Sequence, residues 1–290
     1  MGTFRKWTKN LVERLTGREI ERFGSKSFII IDKERRAEAW FSYHAQLRSI
    51  IEKFDINVVI DVGANEGQFT QRLRSFYLGE ILSFEPVTFS FEKLAKAAST
   101  DPNWHVYKLA LGSQEATQTL NVSDATIFSS LFKTNDYCIR RFGEPAQRKR
   151  EEVVSVRRLD ELLEGIAPDI EKKRIFLKMD TQGYDMEVFR GLGNKLKHVT
   201  AIQSEVSLVS IYEGMPHWTE SISVYEKAGF GIVGMFPVSW DSGRIIEYDC
   251  LLVREWSHRA KASTYIKRST SRQFRCASSP LVSFVKDSLH

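Results

Sequence analysis

Cysteine is scarce in this chain. The three that occur, Cys138, Cys250 and Cys276, lie far apart and form no C-x-x-C pair, so neither a disulfide framework nor a zinc cluster is implied. The six histidines give no H-x-x-x-H spacing, and no metal is expected. No apolar run approaches the roughly 20 residues that span a bilayer, and the first residues lack the apolar core of a secretion signal. A cytoplasmic protein is expected. Two nucleotide fingerprints are also missing. The residue two after Gly63 is Asn65, which breaks G-x-G-x-x-G and argues against a dehydrogenase, and no Lys-Ser/Thr pair follows to make a phosphate loop.

What is present supports one large α/β body. The 290 residues with 42% apolar content are enough for a real core. Apolar segments at Val58–Asp61, Ile81–Glu85, Trp104–Leu109, Ile175–Asp180 and Ala201–Glu205 alternate with helix-length pieces, the rhythm of a parallel sheet. Between Leu120 and Arg157 that rhythm changes, which predicts an insertion over the active face. Gly231–Pro237 and Tyr248–Val253 read as a terminal strand pair.

Charge is unevenly spread. Residues 1–53 carry a formal +5, residues 54–255 carry −6 and residues 256–290 carry +6, so the basic balance belongs to the ends. Domain limits are placed accordingly: a basic amino-terminal helical extension over 1–53, a catalytic domain over 54–255 and a basic, partly disordered tail over 256–290. Phe4, Trp7, Leu11 and Leu15 recur at helical spacing opposite Arg5, Lys6, Lys9 and Arg14. Such a helix packs on its own domain or lies in a membrane interface, and the ends offer weak contact with an anionic inner-membrane surface.

The most informative stretch is Val58 to Thr70, VVIDVGANEGQFT. A buried parallel strand reads as a continuous β-branched run, and Val58, Val59 and Ile60 supply one ending at Asp61. Gly63 and Gly67 then let the chain turn sharply and let a ligand approach without meeting a Cβ, while the new helix start offers free N–H donors. The ligand expected there is a small polar molecule across the strand's carboxyl end. Glu85, 24 residues beyond Asp61, ends the next strand, where an acidic side chain accepts hydrogen bonds from ribose hydroxyls.

DVGANEGQFT from Asp61, SFEP from Ser83, SVRRLDELL from Ser155, FLKMDTQGYDMEVFRG from Phe176 and SEVSLVSIYEGMP from Ser204 occur in the order of one family. Across about residues 55–255 the chain resembles the FkbM family of S-adenosylmethionine (SAM)-dependent methyltransferases. The resemblance implies a Rossmann-like class I fold: a mostly parallel seven-stranded sheet, an antiparallel last strand and helices on both faces. It implies SAM as cofactor and a methyl group delivered to a hydroxyl of a sugar, glycolipid or other secondary-metabolite acceptor. The cofactor candidates are Asp61, Gly63, Asn65, Gly67, Thr70, Glu85, Pro86, Ala110 and Leu111. One departure stands out: where many members read Asp-x-Glu-Gly-x-Glu, this chain has Asp180, Thr181, Gln182, Gly183, Tyr184 and Asp185, so one carboxylate is a neutral amide.

Asp180 and Glu205 each end a strand and point to the same sheet edge, which makes them the candidates for catalytic base or acceptor positioning. Each has a plainer reading as a turn former or helix cap. Asp160 is expected to cap a helix, Asp185 to start one that Gly191 and Gly193 end, and Tyr212 and Trp218 to pack in core and loop. His105 and His217 are of interest only for lying near a strand end or an active-face loop. Two other functions compete: a SAM- or nucleotide-binding module without catalysis, suggested by Gln182, and a nucleic-acid methyltransferase, suggested by the basic ends. The second lacks both an Asn/Asp-Pro-Pro-aromatic and a Pro-Cys motif for a flipped base.

Overall fold

The structure is a computed structural model that describes residues 18–23, 27–123 and 125–254, with side chains from residue 42 onward. The stripe at Phe4, Trp7, Leu11 and Leu15, the carboxyl-terminal tail and Cys276 lie outside the described residues.

The chain begins with an antiparallel pair, β1 (Arg18–Phe23) and β2 (Ser27–Asp32), and a helix, α1 (Lys33–Lys53). The run Val58–Val62 forms β3, and all five residues are buried, as a strand covered on both faces requires. Then come α2 (Gln68–Leu73), β4 (Glu80–Phe84), α3 (Thr88–Ala98) and β5 (Trp104–Tyr107). After the insertion, which holds α4 (Asp136–Phe142), follow α5 (Leu159–Ile166), β9 (Ile175–Met179), α6 (Asp185–Arg190), β10 (Val199–Ser207), α7 (Trp218–Lys227), β11 (Phe230–Asp241) and β12 (Arg244–Arg254).

The main sheet runs β11-β12-β10-β9-β3-β4-β5. Strands β3, β4, β5, β9 and β10 pair in parallel, whereas β12 runs antiparallel to both β10 and β11. The chain therefore builds outward from β3 through β4 to β5, then returns to β9 on the other side of β3. Strand order reverses between β3 and β9, and ligands of open α/β sheets bind outside the carboxyl ends at such a reversal. Alternation along each strand fills two cores. Val58, Ile60 and Leu177 face Leu159, Val188 and Tyr225 of the helices α5, α6 and α7. Val59, Phe176 and Leu251 face Leu47, Ile50, Leu73 and Leu94 of α1, α2 and α3. Residues 42–53 are thus part of the body, because Leu47, Ile50 and Ile51 fill its second core. This moves the domain start ahead of residue 54.

The segment from Trp104 to Leu109 is not one strand. β5 ends at Tyr107, and Ala110–Leu111 (β6) joins a second sheet, ordered β6-β8-β7, with β7 (Ala116–Ser123) and β8 (Arg148–Arg157). The expected insertion thus has its own sheet and begins before Leu120. It carries a helix, α4 (Asp136–Phe142), capped by Asn135, whose side chain accepts from Cys138 N. The terminal hairpin also runs longer than Gly231–Pro237 and Tyr248–Val253. Ser242 and Gly243 turn it with φ of 48° and 87°, the two left-handed residues of a tight hairpin turn. Among the described residues no helix is long and apolar enough to cross a membrane.

Candidate active site

The chain leaves β3 at Val62 and turns at Gly63 with φ +76°. Gly63 N and Ala64 N both donate to Phe84 O, and Asp180 N donates to Val62 O, so the turn is stitched to both neighbouring strand ends. A Cβ on Gly63 would sit 2.0 Å from Asp180 O. Glycine is required there by a backbone crossing, a different reason from the ligand clearance expected of it. Gly67 likewise serves packing: its φ is +88°, and a Cβ would meet the Trp104 ring at 2.8 Å.

Three cofactor candidates stand behind the site. Asp61, Gly67 and Thr70 do not line the cavity described below. Asp61 is one residue short of the strand end and fully buried; Thr70 Oγ1 donates to its Oδ2 at 3.2 Å, and the Lys178 ammonium lies 3.1 Å from its Oδ1. These contacts hold the turn in place from behind the cavity wall.

Gly63, Asn65, Glu85, Pro86, Ala110 and Leu111 line one cavity of about 410 Å³, and Asp180 and Glu205 line the same cavity. Its size falls within the range of small-molecule sites. In its wall Glu85 is buried, with Asn65 N donating to Oε2 and Val87 N to Oε1, each at 2.8 Å. Burial pushes the Glu85 carboxyl up to about 7 against the pull of those two donors. Each oxygen keeps a second lone pair, so the carboxylate can accept from two adjacent hydroxyls. Phe84, Pro86, Val87, Leu109, Ala110 and Leu111 form the apolar walls beside it. A ribose with a flat base fits that combination of acceptor and slot.

Also in the lining, the loop after β9 ties two carboxylates together. Gln182 Nε2 donates to Asp180 Oδ1 and to Glu205 Oε2, both at 3.0 Å. Tyr212 donates from its hydroxyl to Gln182 Oε1 at 2.7 Å, which fixes the orientation of the amide. Gln182 itself has φ +54°, a costly conformation for a residue with a Cβ, and Ser130 Oγ of the insertion holds its carbonyl at 2.7 Å. Asn65, at φ +48°, is tied to the insertion by Thr126 Oγ1 at 3.2 Å. Both strained residues face the cavity, the usual place for such strain. Asp185 lies in the first turn of α6 and accepts from Thr181 N, Ser204 Oγ and Glu205 N, which welds the loop to β10.

Sequence reasoning missed two charged residues here. Lys178 reaches Asp61 at 3.1 Å and Asp180 at 3.3 Å from inside β9. Burial pulls its pKa down, yet the two carboxylates hold it well above the ordinary lysine value. A lysine inside the apolar run Ile175–Met179 was the available signal. Glu247 of β12 lines the cavity, is 6% exposed, and accepts from Ser207 Oγ at 3.3 Å and Ser239 Oγ at 2.8 Å. Burial raises its carboxyl pKa; Glu205 is raised too, by burial and then by the charge of Glu247. The alternation of Ile246, Tyr248 and Cys250 with Glu247 and Asp249 was its faint signal.

Other residues have structural roles. Asp160 is not the cap of α5; that position is Arg158, whose guanidinium draws Asp160 into an ion pair at 2.6 Å. His105 is exposed on β5, and His217 caps α7 by accepting from Thr219 N. Tyr212 is buried beside Ile211 and Cys138, and Trp218 packs on the main core. Among the described residues no cluster of His, Cys, Asp and Glu is arranged to hold a metal.

Residues 61–232 match the family model described as the methyltransferase FkbM domain. A curated relative, "Methyltransferase 1" of Beauveria bassiana (strain ARSEF 2860), is 26% identical over 190 residues, covering 61% of this chain and 74% of the relative. Among solved structures, magnesium protoporphyrin IX methyltransferase from Synechocystis PCC 6803 aligns with a TM-score of 0.41 and 7% identity, over 80% of this chain and 87% of that one. Fibrillarin from Aeropyrum pernix aligns with a TM-score of 0.41 and 11% identity, over 84% and 87%. Likenesses this distant say nothing of substrate or residue roles.

Proposed function

The chain belongs to the FkbM methyltransferase family, and on that premise we propose that it transfers a methyl group from SAM to a hydroxyl of a sugar, glycolipid or other secondary-metabolite acceptor. One observation carries the reading: a single cavity is lined both by a ribose-accepting carboxylate, Glu85, and by the Asp180–Gln182–Glu205 arrangement. SAM supplies a methyl carbon made electrophilic by its sulfonium.

The chain's own residues divide the remaining work. Glu85 accepts from the ribose hydroxyls while Pro86, Val87, Ala110 and Leu111 enclose the base. Gln182, pinned by Tyr212, keeps Asp180 and Glu205 at fixed separation, so the acceptor meets carboxylates that need no rearrangement at the moment of attack. Such alignment is a large part of what in-line displacement requires. An alcohol must also lose its proton, and a positioned carboxylate supplies that function. The lining includes four carboxyl side chains, Glu85, Asp180, Glu205 and Glu247, and no lysine, arginine or histidine. That balance favours an uncharged acceptor and disfavours the phosphates of a nucleic acid.

Calorimetric titration with SAM tests the cofactor end, with Glu85→Ala as the control that loses affinity. Transfer of tritiated methyl to a panel of glycosides, glycolipids and polyketide-like alcohols tests the acceptor end. SAM binding without transfer to any hydroxyl acceptor would support the binding-module reading instead.

A further inference from the structure

Five titratable side chains line the cavity: Glu85, Asp180, Tyr184, Glu205 and Glu247. Three are already occupied. Glu85 is held by two backbone N–H groups at the ribose end. Asp180 carries the Lys178 ammonium at 3.3 Å and the Gln182 amide at 3.0 Å. The Tyr184 hydroxyl accepts from Gln118.

Glu205 and Glu247 remain. Strands β10 and β12 pair antiparallel with Glu205 opposite Asp249 and Ser207 opposite Glu247. Residues two apart on one strand share a face, so Glu205 and Glu247 are diagonal neighbours on the same side of the sheet. Both Glu247 oxygens are anchored by hydroxyls, Ser207 on β10 and Ser239 on β11. Glu205 is anchored by one oxygen only, through Gln182 at 3.0 Å, and its Oε1 has no partner among the described residues. No lysine or arginine pairs with either carboxyl among the described residues. Two buried carboxyls without a counter-charge, diagonal on adjacent strands, each make ionisation of the other less favourable.

We propose that Glu205 and Glu247 form a proton-sharing pair in which Glu205 takes the proton leaving the acceptor hydroxyl and Glu247 is the positioning partner that sets how tightly Glu205 holds it. The proposal rests on the reading that a hydroxyl is methylated. As the acceptor oxygen bonds to the methyl carbon, the carbon–sulfur electron pair stays with sulfur and the hydroxyl proton passes to the Glu205 carboxylate. The proton already shared stays with the pair. An ether and a neutral thioether result, and the pair returns its extra proton to solvent.

Other groups face the pair. Asp180 and Gln182 approach from the loop after β9, Asp185 from α6, Asp249 from β12, Tyr212 from the loop after β10, and Cys138 from α4. The nearby carboxylates all make Glu205 harder to ionise, and Glu247 is the largest such charge.

The test needs no acceptor. In the ligand-free protein with ¹³C-carboxyl-labelled glutamate, the proton affinity of Glu205 should fall at least tenfold in Glu247→Gln, and that of Glu247 should fall reciprocally in Glu205→Gln. Glu247→Asp should restore coupled titration. With an acceptor from the hydroxyl panel, the acid limb of the rate profile should move to lower pH in Glu247→Gln, while Glu205→Gln loses about 100-fold in turnover, the scale of a lost general base. Unmoved titrations in both folded amide variants would overturn the pairing. Full turnover in Glu205→Gln would overturn its role as base. Absence of transfer by the unmodified protein would sink the methylation reading, and the titration would still decide the pairing.

Discussion

Replacing Lys178 by methionine removes the ammonium paired with Asp61, and the cost can be worked from the geometry. Asp61 is fully buried, and Lys178 lies 3.1 Å from it with a side chain 6% exposed. At that separation and an effective dielectric of about 20, the attraction is roughly 5 kcal/mol. The second arm, to Asp180 at 3.3 Å, is discounted because the Asp180 side chain is 37% exposed and screened by water. Methionine keeps most of the side-chain length, so little cavity opens, and the loss comes from leaving a carboxylate without its counter-charge. Breaking a buried pair by removing one partner costs about 3–5 kcal/mol. Urea denaturation should register this as a midpoint lowered by roughly 1–2 M, for an m-value of about 2–3 kcal/mol/M. Adding Asp61→Asn should recover most of the loss, because the orphaned charge is then gone. The reasoning fails if Lys178→Met lies within about 1 kcal/mol of the unmodified protein, or if the double variant is no more stable than the single one.

Gly63→Ala should destabilise the fold by about 2–4 kcal/mol in the same assay, from a left-handed alanine and a Cβ forced against Asp180 O; a change under about 0.5 kcal/mol would count against the backbone crossing. Glu85→Ala should weaken SAM binding by about 10- to 100-fold, the loss of hydrogen bonds to a charged acceptor, and equal calorimetric affinities would remove Glu85 from the cofactor site. Burial lifts the carboxyls of Glu85 and Asp249 in the folded protein, each to about 7. Their contributions are therefore fully present below the ordinary carboxyl range and are lost as pH rises towards about 7, so stability of the ligand-free protein should decline over that window. Glu85→Gln should flatten that decline, and denaturation curves at pH 5 and pH 8 would show whether it does. Deleting residues 256–290, which carry a formal +6, should leave SAM affinity unchanged and reduce salt-dependent binding to anionic vesicles; a SAM-blind product would show that SAM binding depends on that segment.

The sequence by itself determined the sheet's central strands and the two turns of the site, because both are local. Val58–Val62 and Ile175–Met179 are buried on both faces and must be apolar throughout, and a chain that turns back at a strand end needs a left-handed residue, hence Gly63 and Gly183. Glu85 was legible for the same reason: a carboxylate placed at a strand end by spacing alone. The tertiary structure decided which side chains meet. Asp61 and Thr70 lie within the glycine-turn motif, yet both are fully buried outside the cavity lining, and Asp61 is ion-paired with Lys178 from a strand more than a hundred residues on. Gln182 reads as a carboxylate lost; in the folded chain its amide joins Asp180 to Glu205, which lies 23 residues beyond Gln182. Glu247 had no motif at all, because it reaches the cavity only through the antiparallel return of β12 beside β10. Turn geometry is set by neighbours in sequence, whereas electrostatic partnership is set by neighbours in space, and strand order brings those together.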